Sequence, residues 1–253
     1  MSNPVTRSLR GAGREFMRRT EYGNLPPSDQ MLGRPSPPLE VPYTKEKATV
    51  VLPAPGSIAL PALDLHDAIE RRVSTRDYAS EPLALSELAY LLWSTQGVKR
   101  AVGGVFTLRT VPSAGARHAF ETYLLVNRVE GVTPGLYRYL ALEHRLAEES
   151  RDPDLPRQIA AGCLNQPHII KSAVTFLWAA VPARMTWRYG ERGYRYLHLD
   201  AGHVCQNLYL AALGVGCGVC AIAAFDDAAM NRLLDIDGDE QFLIYVATVG
   251  KMP

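Results

Sequence analysis

The chain has 253 residues, 47% of them hydrophobic and 21% charged, with 27 Lys and Arg against 26 Asp and Glu. That balance belongs to a globular protein that can bury an ordinary core without disulfides or metals, and it argues against disorder over the whole length. A formal net charge of +1 gives no reason to expect a nucleic-acid or anionic-membrane partner, so any anion site must be local.

Residues 1–62 differ from the rest. Met1 to Thr20 is basic but lacks the apolar stretch and cleavage pattern of a signal peptide, and no segment carries an uncharged apolar run long enough to span a bilayer. From Leu25 to Pro61 come Pro26, Pro27, Pro35, Pro37, Pro38, Pro42, Pro53, Pro55 and Pro61. Prolines at that density remove backbone donors and block helix, so an extended arm is expected. Val41, Tyr43, Val50, Val51, Leu52, Ile58 and Leu60 supply apolar contacts that a solvated tail does not need, which favours an arm wrapped on a partner subunit.

Beyond the arm, residues 63–253 form one domain. Asp64 is a plausible N-cap for a helix with Ala68, Ile69 and Val73 on one face, and Ser86 opens a second helix that Gly97 can end. A loop with Gly103 and Gly104 precedes a strand at Thr122 to Val126, and the Pro134-Gly135 turn precedes another at Leu136 to Tyr139. Pro153 and Asp154 start a third helix. Ala173 to Ala180 and Phe242 to Val249 are almost uniformly apolar, as strands buried on both faces are. Between them the strongest helix runs from about Leu199 to Leu213, and Asp226 caps a shorter one. Intermixed helices and strands without a repeat indicate an α+β domain.

Several motifs carry chemistry. Arg71, Arg72 and Arg76, with the hydroxyls of Ser74 and Thr75, stand at the end of the first helix. They read either as a solvated basic helix end or as a phosphate clamp of guanidinium forks and hydroxyls. Pro112, Ser113, Ala114 and Gly115 are small enough to bring backbone amides against a flat ligand, although an ordinary turn would look the same. Leu213-Gly-Val-Gly-Cys-Gly218 follows a helix and leads into a strand, the reverse of a dinucleotide fingerprint, so it reads as a tight connection. Cys217 and Cys220 have CxxC spacing but no second pair, and His198, Asp200 and His203 do not share one side of a helix, so no metal site is expected. Four cysteines in apolar surroundings suit a reducing, cytoplasmic setting.

Taken in order, these segments resemble the SagB-type branch of the nitroreductase superfamily, which includes flavin-dependent azoline dehydrogenases. The matching pieces are Arg71 to Tyr78, Leu88 to Gly97, Pro112 to Ala116, Gly135 to Tyr139, Gly190 to Arg195, Asp200 to Leu208, Leu213 to Gly216, Phe225 to Asp227 and Val249-Gly250, spread over residues 64–250. The resemblance implies a central, mostly antiparallel sheet flanked by helices and an intertwined homodimer with FMN at its interface. Arg71, Arg72, Ser74 and Arg76 would hold the phosphate end, with Lys251 as a further cation. Pro112, Ser113, Ala114 and Gly115 would border the isoalloxazine, and Ala221, Ile222, Ala223 and Ala224 would run along its other face or edge.

Two departures qualify the resemblance. Alanines stand at 221, 223 and 224 where relatives carry Pro and Gly, and Arg188 precedes Tyr189 where azoline-oxidising relatives carry lysine. An arginine stays protonated and is a poor general base, which leaves Tyr189 as the candidate for proton handling. The expected activity is hydride transfer between a small organic or peptide-derived substrate and flavin N5. Azoline dehydrogenation, NAD(P)H-dependent nitro or quinone reduction and a flavin-free scaffold are the alternatives.

Overall fold

The computed structural model describes residues 11–44 and 47–253, and the opening ten residues of the basic N-terminus lie outside them. In chain order the described elements are α1 (Ala12–Arg19), β1 (Thr49–Val51), α2 (Leu65–Arg71), α3 (Leu85–Gln96), β2 (Val98–Val102) and β3 (Phe106–Arg109). There follow β4 (Phe120–Val126), β5 (Gly135–Leu140), β6 (Arg145–Ser150), α4 (Leu155–Gly162), α5 (His168–Lys171) and β7 (Val174–Ala180). The chain closes with α6 (Pro182–Tyr189), α7 (Gly193–Gly214), β8 (Cys217–Ile222), α8 (Asp227–Leu233) and β9 (Phe242–Lys251). Among the described residues no helix is long and apolar enough to cross a membrane.

The two apolar runs occupy the middle of a seven-stranded sheet of order β1-β6-β5-β4-β7-β9-β8, whose pairings are all antiparallel. Each residue of β7 is buried, because helices cover both faces and neither side chain parity meets water. One face packs on α3 and α7 through Leu88, Leu92, Leu197, Val204 and Leu208. The other packs on α4 and α8 through Leu155, Ile159 and Met230. The fold is therefore the α+β, helix-flanked antiparallel sheet that the resemblance implies.

Capping residues set the helix starts near the sheet edge. The Asp64 carboxylate accepts from the amides of His66 and Asp67, and that of Asp226 accepts from Ala229 N. Gly97 does end α3, for a reason the sequence hides: a Cβ there would lie 2.3 Å from Trp93 Cδ1. The expected apolar face of α2 is a correction. Only Ala68 is buried, while Ile69 and Val73 stand exposed. Gly103 and Gly104, both at positive φ, form the tip of the β2–β3 hairpin, a separate two-stranded sheet.

The arm lies against its own chain over most of its described length. Arg184 Nε donates to Pro38 O at 2.8 Å, Trp187 Nε1 to Arg34 O at 2.9 Å, and Arg138 to the carbonyls of Val41 and Pro42. Beneath these, the buried Glu121 carboxylate pairs with Arg184 and Arg138 and accepts from Val41 N. Farther on, β1 joins the sheet edge beside β6.

Candidate functional site

After α2 the chain leaves helical geometry at Arg72 and runs along the outer edge of β8. Ser74 bridges Val219 in parallel, and Thr75 N donates to Val219 O at 2.8 Å. Two glycines permit this close passage. A Cβ on Gly218 would stand 2.6 Å from the Thr75 side chain, and one on Gly250 2.8 Å from the Tyr78 ring. The Tyr78 hydroxyl closes the turn by donating to Thr75 O at 2.6 Å.

This segment brings two of the predicted clamp residues, Arg72 and Ser74, against a residue the sequence reading missed. Tyr209, on α7, places its hydroxyl 2.9 Å from Ser74 Oγ and 2.9 Å from Ala221 N. An amide can only donate, so the tyrosine oxygen accepts from Ala221, and between Tyr209 and Ser74 either hydroxyl can be the donor. The Arg72 guanidinium lies over the Tyr209 ring, 5.3 Å from its centroid, which fixes that fork beside the serine. Arg71 ends α2, and both it and Arg76 are exposed. Nearby, burial and then the charge of Arg76 push the His168 imidazole below its usual range, so it stays neutral.

The remaining candidates at this edge are placed unequally. Ala221 and Ile222 end β8, and Ala223 and Ala224 follow as exposed residues. Ile222 buries its side chain among Met230 and Leu243, so it can meet a ligand only through its backbone. Lys251 Nζ is already engaged, with Glu87 Oε1 at 2.5 Å and Val215 O at 2.9 Å.

The second group forms around Gly115. Ala114, Gly115 and Ala116 make a 3₁₀ turn in which Gly115 has φ 57° and Ala116 φ 54°, both left-handed. Two side chains hold this loop. His118 N donates to Ser113 Oγ at 2.9 Å, and Ala114 N reaches both oxygens of the buried Asp200 carboxylate at 3.3 Å. Burial raises the Asp200 pKa, opposed by the Ser113 and Ala114 hydrogen bonds. Asp200 is thus a brace for the loop, a role that its place between two histidines does not suggest. A Cβ on Gly115 would lie 2.5 Å from the Tyr189 hydroxyl and 2.9 Å from Arg188 Nε. Arg188 and Tyr189, at the end of α6, therefore meet the loop at Gly115.

Within one chain the two groups do not meet. Asp200 and Tyr209 are nine residues apart on α7, which is about 13 Å along the axis and two and a half turns around it. The loop braced by Asp200 and the clamp braced by Tyr209 flank opposite sides of the same helix.

The model of the nitroreductase family matches residues 69–251. The chain is 35% identical over 197 residues to MJ1384 of Methanocaldococcus jannaschii, a protein with a nitroreductase name, covering 77% of this chain and 96% of that one. It is 30% identical to the trifolitoxin-processing protein TfxB of Rhizobium leguminosarum bv. trifolii, over 59% of this chain but only 41% of TfxB. A crystal structure from Anabaena variabilis, also under a nitroreductase name, superposes with a TM-score of 0.67 at 27% identity, over 83% of this chain and 42% of that one.

Proposed function

The chain belongs to the nitroreductase family of oxidoreductases, and from that premise we propose that it is an FMN-dependent enzyme acting as a homodimer. The observation that carries the reading is the clamp. Arg72 and Arg76 offer positive charge beside a serine hydroxyl held by Tyr209, a donor set suited to a phosphate dianion. Among the described residues Ala223 N has no hydrogen-bond partner, and it lies two residues beyond the amide taken by Tyr209. Ala223 directly follows the end of β8, so this free donor lies close to the clamp.

Bound there, the flavin would supply hydride acceptance and donation. The protein's own groups would do the rest. Arg72, Ser74 and Arg76 anchor one end, Ala223 and Ala224 give a flat backbone approach, and Lys251 adds charge shared with Glu87. Asp200 holds the loop of residues 112–115 rigid. Tyr189 is the group placed to pass a proton, since an arginine is a poor general base. A two-fold partner would bring the loop and Tyr189 of one chain toward the clamp of the other, across the separation that α7 imposes. The proline-rich arm of residues 1–62 would add to that interface.

Similarity to TfxB favours a second reading of the substrate, a peptide-derived one as in SagB-type azoline dehydrogenases. The free, buried cysteines suit a reducing compartment such as the cytoplasm. The experiment is a visible spectrum of the purified protein with mass identification of the released chromophore. About one FMN per subunit is expected. A colourless protein that also fails to bind added FMN overturns the reading.

A further inference from the structure

The GERGYR segment at the start of α7 has no part in the clamp or the loop, yet its arginines are heavily used. Arg192 donates to Thr20 O at 2.7 Å, and Arg195 to Thr20 Oγ1 at 2.7 Å and to Met17 O. These bonds cap the carbonyl end of α1 with cations, where the helix dipole favours them. Downstream, Gln30 N donates to Trp187 O at 2.8 Å, and Trp187 Nε1 returns a bond to Arg34 O. The arm is thus pinned at residue 20 and again at residues 30–38. Between the pins it arches over the end of α6, stiffened by Pro26 and Pro27.

Under the arch lies a cavity of about 330 Å³, at the lower end of the range for small-molecule sites, which is roughly 300–1,000 Å³. Tyr22, Leu25, Pro26 and Met31 form its wall from the arm, and Arg188 and Tyr189 face them. The aromatic side is rigid. Tyr22 stacks under the Arg192 guanidinium at 4.2 Å and shares a 2.9 Å hydrogen bond with Tyr196, whose ring meets Tyr189 edge-on at 4.8 Å. Two polar groups on this apolar lining have no hydrogen-bond partner: among the described residues Arg188 makes no ion pair or hydrogen bond and rests only over the Tyr189 ring, 5.6 Å from its centroid, and the Tyr189 hydroxyl has no partner. Both also reach the position of Gly115, so two residues that line the cavity touch the loop assigned to the flavin.

The geometry points to a binding site for a small aromatic carboxylate, its ring between the arm and Tyr189 and its carboxylate on the Arg188 fork. This deepens the functional reading by naming a substrate class, and it explains why an arginine stands here. A planar guanidinium gives up catalysis by proton abstraction and gains bidentate recognition of an anion.

Calorimetric titration of the full chain, in its purified flavin-loaded form, with benzoate and with benzamide tests it. Benzoate should bind at least tenfold more tightly than its neutral isostere. In Arg188→Gln that preference should vanish, in Arg188→Lys it should partly return, and in Tyr22→Ala both probes should weaken together. FMN content is measured on every sample. If the preference follows Arg188 in protein that retains no FMN, the pocket stands and the flavin reading fails. Equal binding of the two probes by the wild type, or a preference that survives Arg188→Gln, overturns the pocket whatever the flavin content.

Discussion

At the scale of single residues, Tyr209 connects the parts of the site. Its hydroxyl accepts from Ala221 N and hydrogen-bonds Ser74, while its ring supports Arg72. Tyr209→Phe keeps the ring and removes only the oxygen. A lost hydrogen bond is worth about 1 kcal/mol, and the stranded Ala221 amide adds to it. The Kd for FMN should therefore rise roughly tenfold, as read by recovery of flavin fluorescence. A change under twofold would show that Ser74 needs no such hydrogen bond. His118 makes a different prediction. Burial, reinforced by the charge of Arg109, lowers its pKa to about 3, so the folded state holds it neutral. A depressed pKa means stability that is present above the unfolded value and is lost as pH falls toward the folded one. Between pH 6.5 and 4.5 the wild type should lose about 2–3 kcal/mol that His118→Asn, also compatible with the φ of 44° there, retains. Urea midpoints at the two pH values decide it, and parallel losses would mean that His118 is not the group responsible.

At the scale of elements, what could be read in the chain depended on how local the cause was. Uniform apolarity reported β7 and β9 because burial on both faces leaves no alternative, and Asp64 and Asp226 reported helix starts because a cap acts within three residues. The clamp residues and the loop of residues 112–115 were legible as residue types. Their braces were not. Tyr209 looks like one more apolar residue of a buried helix, and Asp200 like a partner of His203, since each acts on a segment nearly a hundred residues or more away. α6 was missed because it opens on Pro182 and carries a mixed face, and β2–β3 because a polar hairpin has little apolar alternation. Gly218 belongs with these non-local causes. Its missing Cβ is what lets Thr75 lie on β8, so Gly218→Ala must push the clamp segment outward by several tenths of an ångström or more. FMN affinity should fall by at least tenfold, while the sheet, held by β9 on the other side, keeps its melting temperature within a few degrees. Unchanged affinity, by the same fluorescence titration, would detach the clamp from the β8 edge.

At the scale of the whole molecule, the unexplained apolar surface lies where a second chain would be needed. Leu65, Ile69 and Val73 around α2 and Leu199 on α7 are more than half exposed, and they flank the helix that separates loop from clamp. On α7, Leu199, Gly202, Gln206, Leu210 and Leu213 recur at spacings of three and four, a single stripe turned away from the core residues Ala201, Val204, Cys205 and Leu208. Gly202 is the informative member. Glycine inside a helix costs about 1 kcal/mol relative to alanine, and among the described residues nothing beyond its own stretch of helix comes within 4 Å of where its Cβ would be. A helix keeps such a residue at little benefit to itself unless another backbone packs close at that point. If α7 meets its two-fold copy there, Gly202→Leu forces the helices apart, and sedimentation should report a monomer that has lost its flavin together with its partner. If the chain works alone, the same substitution fills empty solvent and improves helix propensity, so the protein should become slightly more stable and keep its FMN. The two readings predict opposite signs for one substitution, because in one of them each half of the site comes from a different chain.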